Sequence, residues 1–275
     1  MILRSVVPGP LKQRLRPLYS RIRKNRLFRR LATLNYSCGR IAFGERNTYL
    51  ATPARWITVD IGDADYNIDL TRHERLPFAD NTQALIYSAH MIEHIDQETL
   101  VHLLKEAHRI LKPGGAIRLE APDLEVIVAE YKKASSKILE YFMRDLEENI
   151  VKKFGYPAEY CDRHIALISF ISCYVEDNHH VPVYATKAEV DAKLESLSLE
   201  DFGHWCVSLQ TKEQQLTHGH VNPLYYDKLH AHLSACGFRD IRRMRNGETQ
   251  ILNLRLAGIE RELRAPFSFY VDARK

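Results

Sequence analysis

Within one turn of chain, His90-Met91-Ile92-Glu93-His94 gathers two imidazoles and a carboxylate. Imidazole ionises closest to neutral pH, so a histidine facing a substrate hydroxyl is a candidate general base. His94 is read as that base and His90 as a second catalytic candidate and a contact to cofactor or pocket. The alternative for His94 is a structural hydrogen bond that locks the turn. Asp123 follows an apolar run, where it either binds substrate hydroxyls or caps the next helix. His218 and His220, in the stretch Thr217 to Pro223, are candidates to reach the same pocket, with His220 assigned to substrate. Asp60 closes the apolar run Arg55–Ile61. A desolvated carboxylate there is costly unless a ligand meets it, which makes Asp60 a binding residue and Ile61 its neighbour in the site.

Ala84–Ala89 is short and apolar, as a strand buried on both faces should be. From Gln97 the period changes, and Leu100, Leu103, Leu104, Ala107, Ile110 and Leu111 fall on one helical face. Asp96 suits the N-cap, and Lys112-Pro113-Gly114-Gly115 suits the stop. Ala116–Ala121 then resumes as a strand. The result is a βαβ unit, whose crossover is right-handed and whose ligands sit beyond the carboxyl ends of the strands. His90–His94 and Asp123 therefore share one rim. Leu31–Gly39 is expected as the first core strand and its turn, Arg55–Ile61 as the second strand and Tyr66–Leu70 as a short third. Helical patterns follow Asp123, and an insertion over about 130–217 is expected to shape a pocket or lid. Asn222–Phe238 reads as a last helix, and Phe238–Met244 and Phe267–Ala273 as closing strands.

Taken in order, Leu34-Asn35-Tyr36-Ser37-Cys38-Gly39, Leu76–Asn81 (LPFADN), IYSAHMIEHI, EAHRILKPGG and APDLE resemble the Rossmann-like class of S-adenosylmethionine-dependent methyltransferases. The likeness is to a small bacterial-type subgroup associated with glycan and natural-product biosynthesis. It implies an α/β fold: a mostly parallel sheet with an antiparallel C-terminal strand and a helical insertion. It also implies S-adenosylmethionine as cofactor, with Ser37, Cys38 and Gly39 cradling its methionine part. Asp60 would hold the ribose, while Asp69 and Leu70 would meet the adenine. The family's loop commonly reads LNLGCG, so Ser37 stands here where a glycine would let backbone approach the ligand. The expected activity is O-methylation of a sugar, glycan precursor or other small metabolite. The departure at Ser37 motivates an alternative, a catalytically impaired binding or scaffold protein.

His-x-x-Glu-His is also the pattern of one group of zinc peptidases, where helical spacing brings both imidazoles to one metal. That chemistry needs the pentad inside a helix, whereas His90 here ends a strand. The match is read as coincidence and no metal is expected, with a zinc hydrolase kept as a remote alternative.

A chain of 275 residues with 45% apolar and 27% charged residues is ordinary for a globular enzyme. The formal charge of +4 is unevenly spread: residues before Glu45 hold 11 Lys or Arg and no acid, leaving 28 basic against 35 acidic residues. Residues 1–30 are thus read as a basic arm for an anionic membrane surface, ahead of a methyltransferase domain over 31–275. Nucleic acid is not expected as a partner, because the body is acidic and the arm has few aromatics. The five cysteines are scattered, without a CxxC pair, which suits reduced thiols and a cytoplasmic protein with membrane contact through the arm.

Overall fold

In a computed structural model, residues 40–43, 56–61, 64–172, 183–217, 219–251 and 265–275 are described. They build a seven-stranded sheet in the order β3-β2-β1-β4-β5-β7-β6. The strands are β1 (Arg40–Phe43), β2 (Ile57–Asp60), β3 (Tyr66–Asn67), β4 (Gln83–Ala89), β5 (Leu111–Pro122), β6 (Arg239–Met244) and β7 (Ser268–Arg274). The pairs from β3 through β5 are parallel, and β7 runs antiparallel to both β5 and β6. The reversed strand is therefore the last in sequence but second from the edge in space.

The expected βαβ unit is present: β4, α1 (Gln97–Ile110) and β5. Asp96 caps α1 by accepting from the Thr99 N–H at 2.7 Å. Leu100, Leu103, Leu104, Ala107 and Ile110 are buried against the sheet. Each such aliphatic side chain contributes about 1.5–3 kcal/mol of burial. α8 (Tyr226–Ala235) adds Leu229 and Leu233 to the same core. Between β5 and α8 come α2 (Leu124–Lys132), α3 (Lys137–Leu146), α4 (Arg163–Ser172), α5 (Lys187–Ser196), α6 (Leu199–Ser208) and α7 (Lys212–Thr217). They close a second core around Leu124, Ile127, Leu139, Ile165, Ile168 and Phe202. Gly203 lets α6 press in closely, since a Cβ there would lie 2.6 Å from Pro223 Cβ. That contact seats the chain just after α7 against the carboxyl end of β4.

One expectation changes. The central place between β2 and β4 is held by Arg40–Phe43, with Ile41 opposite Ile57 on one side and Ile86 on the other. The expected first strand, Leu31–Gly39, lies outside the described residues, as does the arm 1–30. Burial of short apolar runs depends on which partner pairs with them, and this the run itself does not carry.

Candidate active site at the carboxyl rim

β4 delivers His90 to the rim in a left-handed conformation, with φ of 51°. This is uncommon for a side chain with a Cβ and is found where surrounding structure enforces it. The enforcement is visible: its N–H donates to the Glu120 carbonyl at 2.9 Å. Its ring is buried, with Nδ1 3.2 Å from Glu93 Oε1 and Nε2 3.4 Å from Glu120 Oε1. Nε2 also meets Ser268 Oγ at 3.0 Å, and the Tyr87 hydroxyl donates to Glu120 at 3.3 Å. Burial alone would lower the His90 pKa, but the Glu120 and Glu93 carboxylates outweigh it and raise it. His90 is thus held beneath the rim between two carboxylates.

Ile92–His94 forms a single 3-10 turn. It buries Glu93 to 2% exposure and leaves His94 exposed. Burial would raise the Glu93 pKa, yet the hydrogen bond and charge of His90 bring it down to about 2. Neither Glu93 side-chain oxygen has a well-aligned hydrogen-bond donor. The Glu93 carbonyl instead accepts from the Val221 and Asn222 N–H groups, at 2.9 and 3.1 Å. This ties the rim turn to a strap running through Gly219–Asn222.

The strap is clamped from below. The His220 N–H donates to the Ser172 carbonyl at 2.7 Å, and Gln210 Nε2 donates to the His220 carbonyl at 2.8 Å. Gly219 is required by close approach, since a Cβ there would stand 2.0 Å from Gln210 Oε1. Its carbonyl faces His94 Nδ1 at 3.2 Å. The rings of His94 and His220 meet edge to face, 4.8 Å between centroids. Burial, then the neighbouring His94 and His90 charges, lower the His220 pKa to about 3, so this imidazole is neutral. Glu93, His94 and His220 offer ligand atoms that all lie within 4.8 Å of one another.

The structure thus unites His94 with His220 and puts His90 beneath them. Asp123 is the capping alternative. It is fully buried, accepts from the Glu125 and Val126 N–H groups at 3.1 and 3.4 Å, and pairs with Arg243. Burial raises its pKa, opposed by the Arg243 charge. Both of its oxygens are thus engaged within the protein, as its capping of α2 requires. On the donor side, Asp60 ends β2 at the carboxyl rim and accepts from the Ile61 N–H at 2.8 Å. Ile61 is 63% exposed, apolar surface of a kind a nucleoside can cover. Asp69 caps the turn Leu70–Arg72, accepting from Thr71 N at 3.0 Å and Thr71 Oγ1 at 2.6 Å. Leu70 packs partly against the main core. Ser37, Cys38, Gly39 and His218 lie outside the described residues.

Sequence reasoning passed over Glu120, Gly219, Asn222 and Ser268. Only Glu120 left a signal, an acid inside the apolar run Ala116–Ala121. The other three are ordinary loop and strand-end residues until the strap and β7 bring them to the rim.

Residues 35–119 match the family model described as a methyltransferase domain. No curated protein sequence matches the chain. Among solved structures, the chain is similar to an S-adenosylmethionine-dependent methyltransferase from Archaeoglobus fulgidus, with 14% identity, 96% of this chain and 98% of that one covered, and a TM-score of 0.41. A Thermotoga maritima methyltransferase described as a possible histamine N-methyltransferase shares 13% identity, with 98% and 100% covered and a TM-score of 0.41. Phosphoethanolamine N-methyltransferase 2 of Haemonchus contortus, solved with S-adenosylmethionine, shares 11% identity, with 89% and 51% covered and a TM-score of 0.39. Those likenesses are loose, and the assignment rests on the family match and the strand order. Over residues 35–119, then, the chain is similar to a methyltransferase domain, and that segment lies within the mostly parallel sheet.

Proposed function

We propose that the chain methylates a hydroxyl oxygen on a sugar, a glycan precursor or another small metabolite. The observation that carries this reading is the exposed His94 imidazole at the carboxyl end of β4, its Nδ1 facing the Gly219 carbonyl. A hydroxyl must lose its proton as it attacks, and a histidine oriented by a backbone carbonyl is equipped to assist. S-adenosylmethionine, when bound, supplies a methyl group already activated on a positively charged sulfur. The chain's own task is to hold acceptor and donor in line and keep water out.

The residues at the donor end fit a nucleoside: a carboxylate, Asp60, at the end of β2 beside the exposed Ile61. Leu70 fits an adenine wall better than Asp69 does, since Asp69 is spent on its own turn. The donor's methionine part is assigned to Ser37, Cys38 and Gly39, which lie outside the described residues.

Calorimetry with S-adenosylhomocysteine tests the donor end. Asp60→Ala should weaken binding about 10-fold or more, the loss of one charge-assisted hydrogen bond of about 1.5–3 kcal/mol. An unchanged dissociation constant removes Asp60 from the site, and no binding by the wild type favours the scaffold reading. The basic segment 1–30 is assigned to an anionic membrane surface, each Lys or Arg adding about 1 kcal/mol near the lipid. Among the described residues no helix is long and apolar enough to cross a membrane. Deleting 1–30 should abolish salt-sensitive adsorption to phosphatidylserine vesicles; equal adsorption without it ends that assignment.

A further inference from the structure

We infer that Glu93, His94 and His220 form a binding site for a divalent transition-metal cation, open on the His94 side to receive the acceptor hydroxyl. Three features on different elements point to it. Their ligand atoms converge within 4.8 Å, with Glu93 and His94 from the rim turn and His220 from the strap. Bonds of about 2.0–2.2 Å would separate ligands by roughly 3.3–3.6 Å, so the site closes by about 1 Å on loading. The second feature is the Glu93 carboxylate, 2% exposed, whose Oε1 meets the His90 ring at 3.2 Å while Oε2 has no hydrogen-bond donor among the described residues. A buried carboxylate left with free lone pairs is costly unless something meets it, and a cation does. Asn222, 1% exposed beside it in the strap, likewise has both side-chain amide atoms unpartnered.

The third feature is the support around the ligands. His94 leans one ring nitrogen on the Gly219 carbonyl, and His220 is hydrogen-bonded to the backbone of Ile171. Each imidazole keeps its other nitrogen for a metal, as outer carbonyls arrange in known sites. Beneath them the His90 ring stands 3.2 Å from Glu93 Oε1 and holds that carboxylate in place. Two imidazoles and one carboxylate with open positions suit Zn2+, Mn2+ or Fe2+ far better than Mg2+, which prefers oxygen ligands.

A zinc peptidase of this pattern would carry the pentad on a long helix. The fold replaces that helix with a single 3-10 turn and draws the third ligand from 126 positions beyond His94. The inference rests on the methyltransferase reading only for its use: a hydroxyl bound to the cation gives its proton to solvent water, leaving a metal-held alkoxide for methylation. In that case His94 serves the acceptor through the cation and does not itself take the proton.

The test is calorimetric titration of Zn2+, then Mn2+ and Mg2+, into untagged, chelator-stripped full-length protein, with S-adenosylhomocysteine titrated separately. The expected result is one Zn2+ per chain, with Mn2+ weaker and Mg2+ weakest. Glu93→Gln, His94→Gln and His220→Gln should each weaken Zn2+ binding at least 10-fold, while His204→Gln, on the exposed face of α6, leaves it unchanged. His94 is exposed, so its variant stays informative even where a buried one fails to fold. Co2+ loading should add visible absorption that is lost in His94→Gln. Zn2+ binding equal in wild type and His94→Gln, or none in wild type, overturns the site. Retained S-adenosylhomocysteine binding in that event leaves the methyltransferase reading standing. Zn2+ bound without any nucleoside binding overturns that reading and spares the site.

Discussion

Two buried charge networks lie within a few residues of each other along β5, and they are built on opposite principles. Arg118, on β5, meets Asp272 of β7 at 2.7 Å with both side chains buried. The second Asp272 oxygen accepts from Thr249 Oγ1 at 2.6 Å and from the Gln250 N–H at 2.7 Å, and the guanidinium lies over the Tyr270 ring. Every strong lone pair of Asp272 is thus spent inside the protein. The network around Glu93 is as deeply buried but leaves that carboxylate without an aligned donor, with two histidines in reach. A closed network holds strands together. An open one keeps binding capacity in reserve, and only the open one sits where the strands end.

The contrast predicts how stability and activity divide between the two. Asp272→Ala strands a buried guanidinium and should cost about 3–5 kcal/mol in urea unfolding. Glu93→Gln, at similar depth, should cost less, about 1–3 kcal/mol, since it weakens the pairing with His90 but keeps an amide oxygen that can still accept from that ring. Equal losses would dissolve the distinction. An intermediate case lies on the buried side of α1. Burial alone would raise the Glu106 pKa, but Arg109 and the Leu76 N–H hold it below its ordinary value. A depressed folded pKa contributes stability above the unfolded value of 4.5, lost as pH falls through the folded one. Glu106→Gln should therefore flatten the acid limb of the stability profile below pH 4.5 and leave its shape unchanged above. The smallest stability effect belongs to His94→Gln, within about 0.5 kcal/mol for an exposed side chain. Its turnover should nonetheless fall by about 10²–10⁴-fold with donor affinity intact. Full turnover would return His94 to the structural role of locking its turn.

Much of the sheet was readable because its signals are local. The β4–α1–β5 unit follows from apolar spacing, the Asp96 cap and the stop at Lys112–Gly115, all within forty residues. The closing strands are legible for the same reason, shifted by a residue or so at each end. Arg40–Phe43 was not, because four residues carry too little pattern of their own. Its central place depends on Ile57 and Ile86, which pair with Ile41 from elsewhere in the chain. Asp123 was open to two equal readings from its position; its bonds to the first N–H groups of α2 are local, while the Arg243 contact comes from β6.

Residue order alone determined that His90, Glu93 and His94 share the rim, since a strand end and a one-turn spacing are properties of neighbouring residues. Tertiary structure alone decided which histidine is buried, which is exposed, and that His220 completes the group. Those outcomes depend on a strap fastened by Ser172, Gln210 and the Glu93 carbonyl, contacts between residues up to about 130 positions apart. Long-range closure of this kind is set by the packing of whole elements, and no local pattern encodes it.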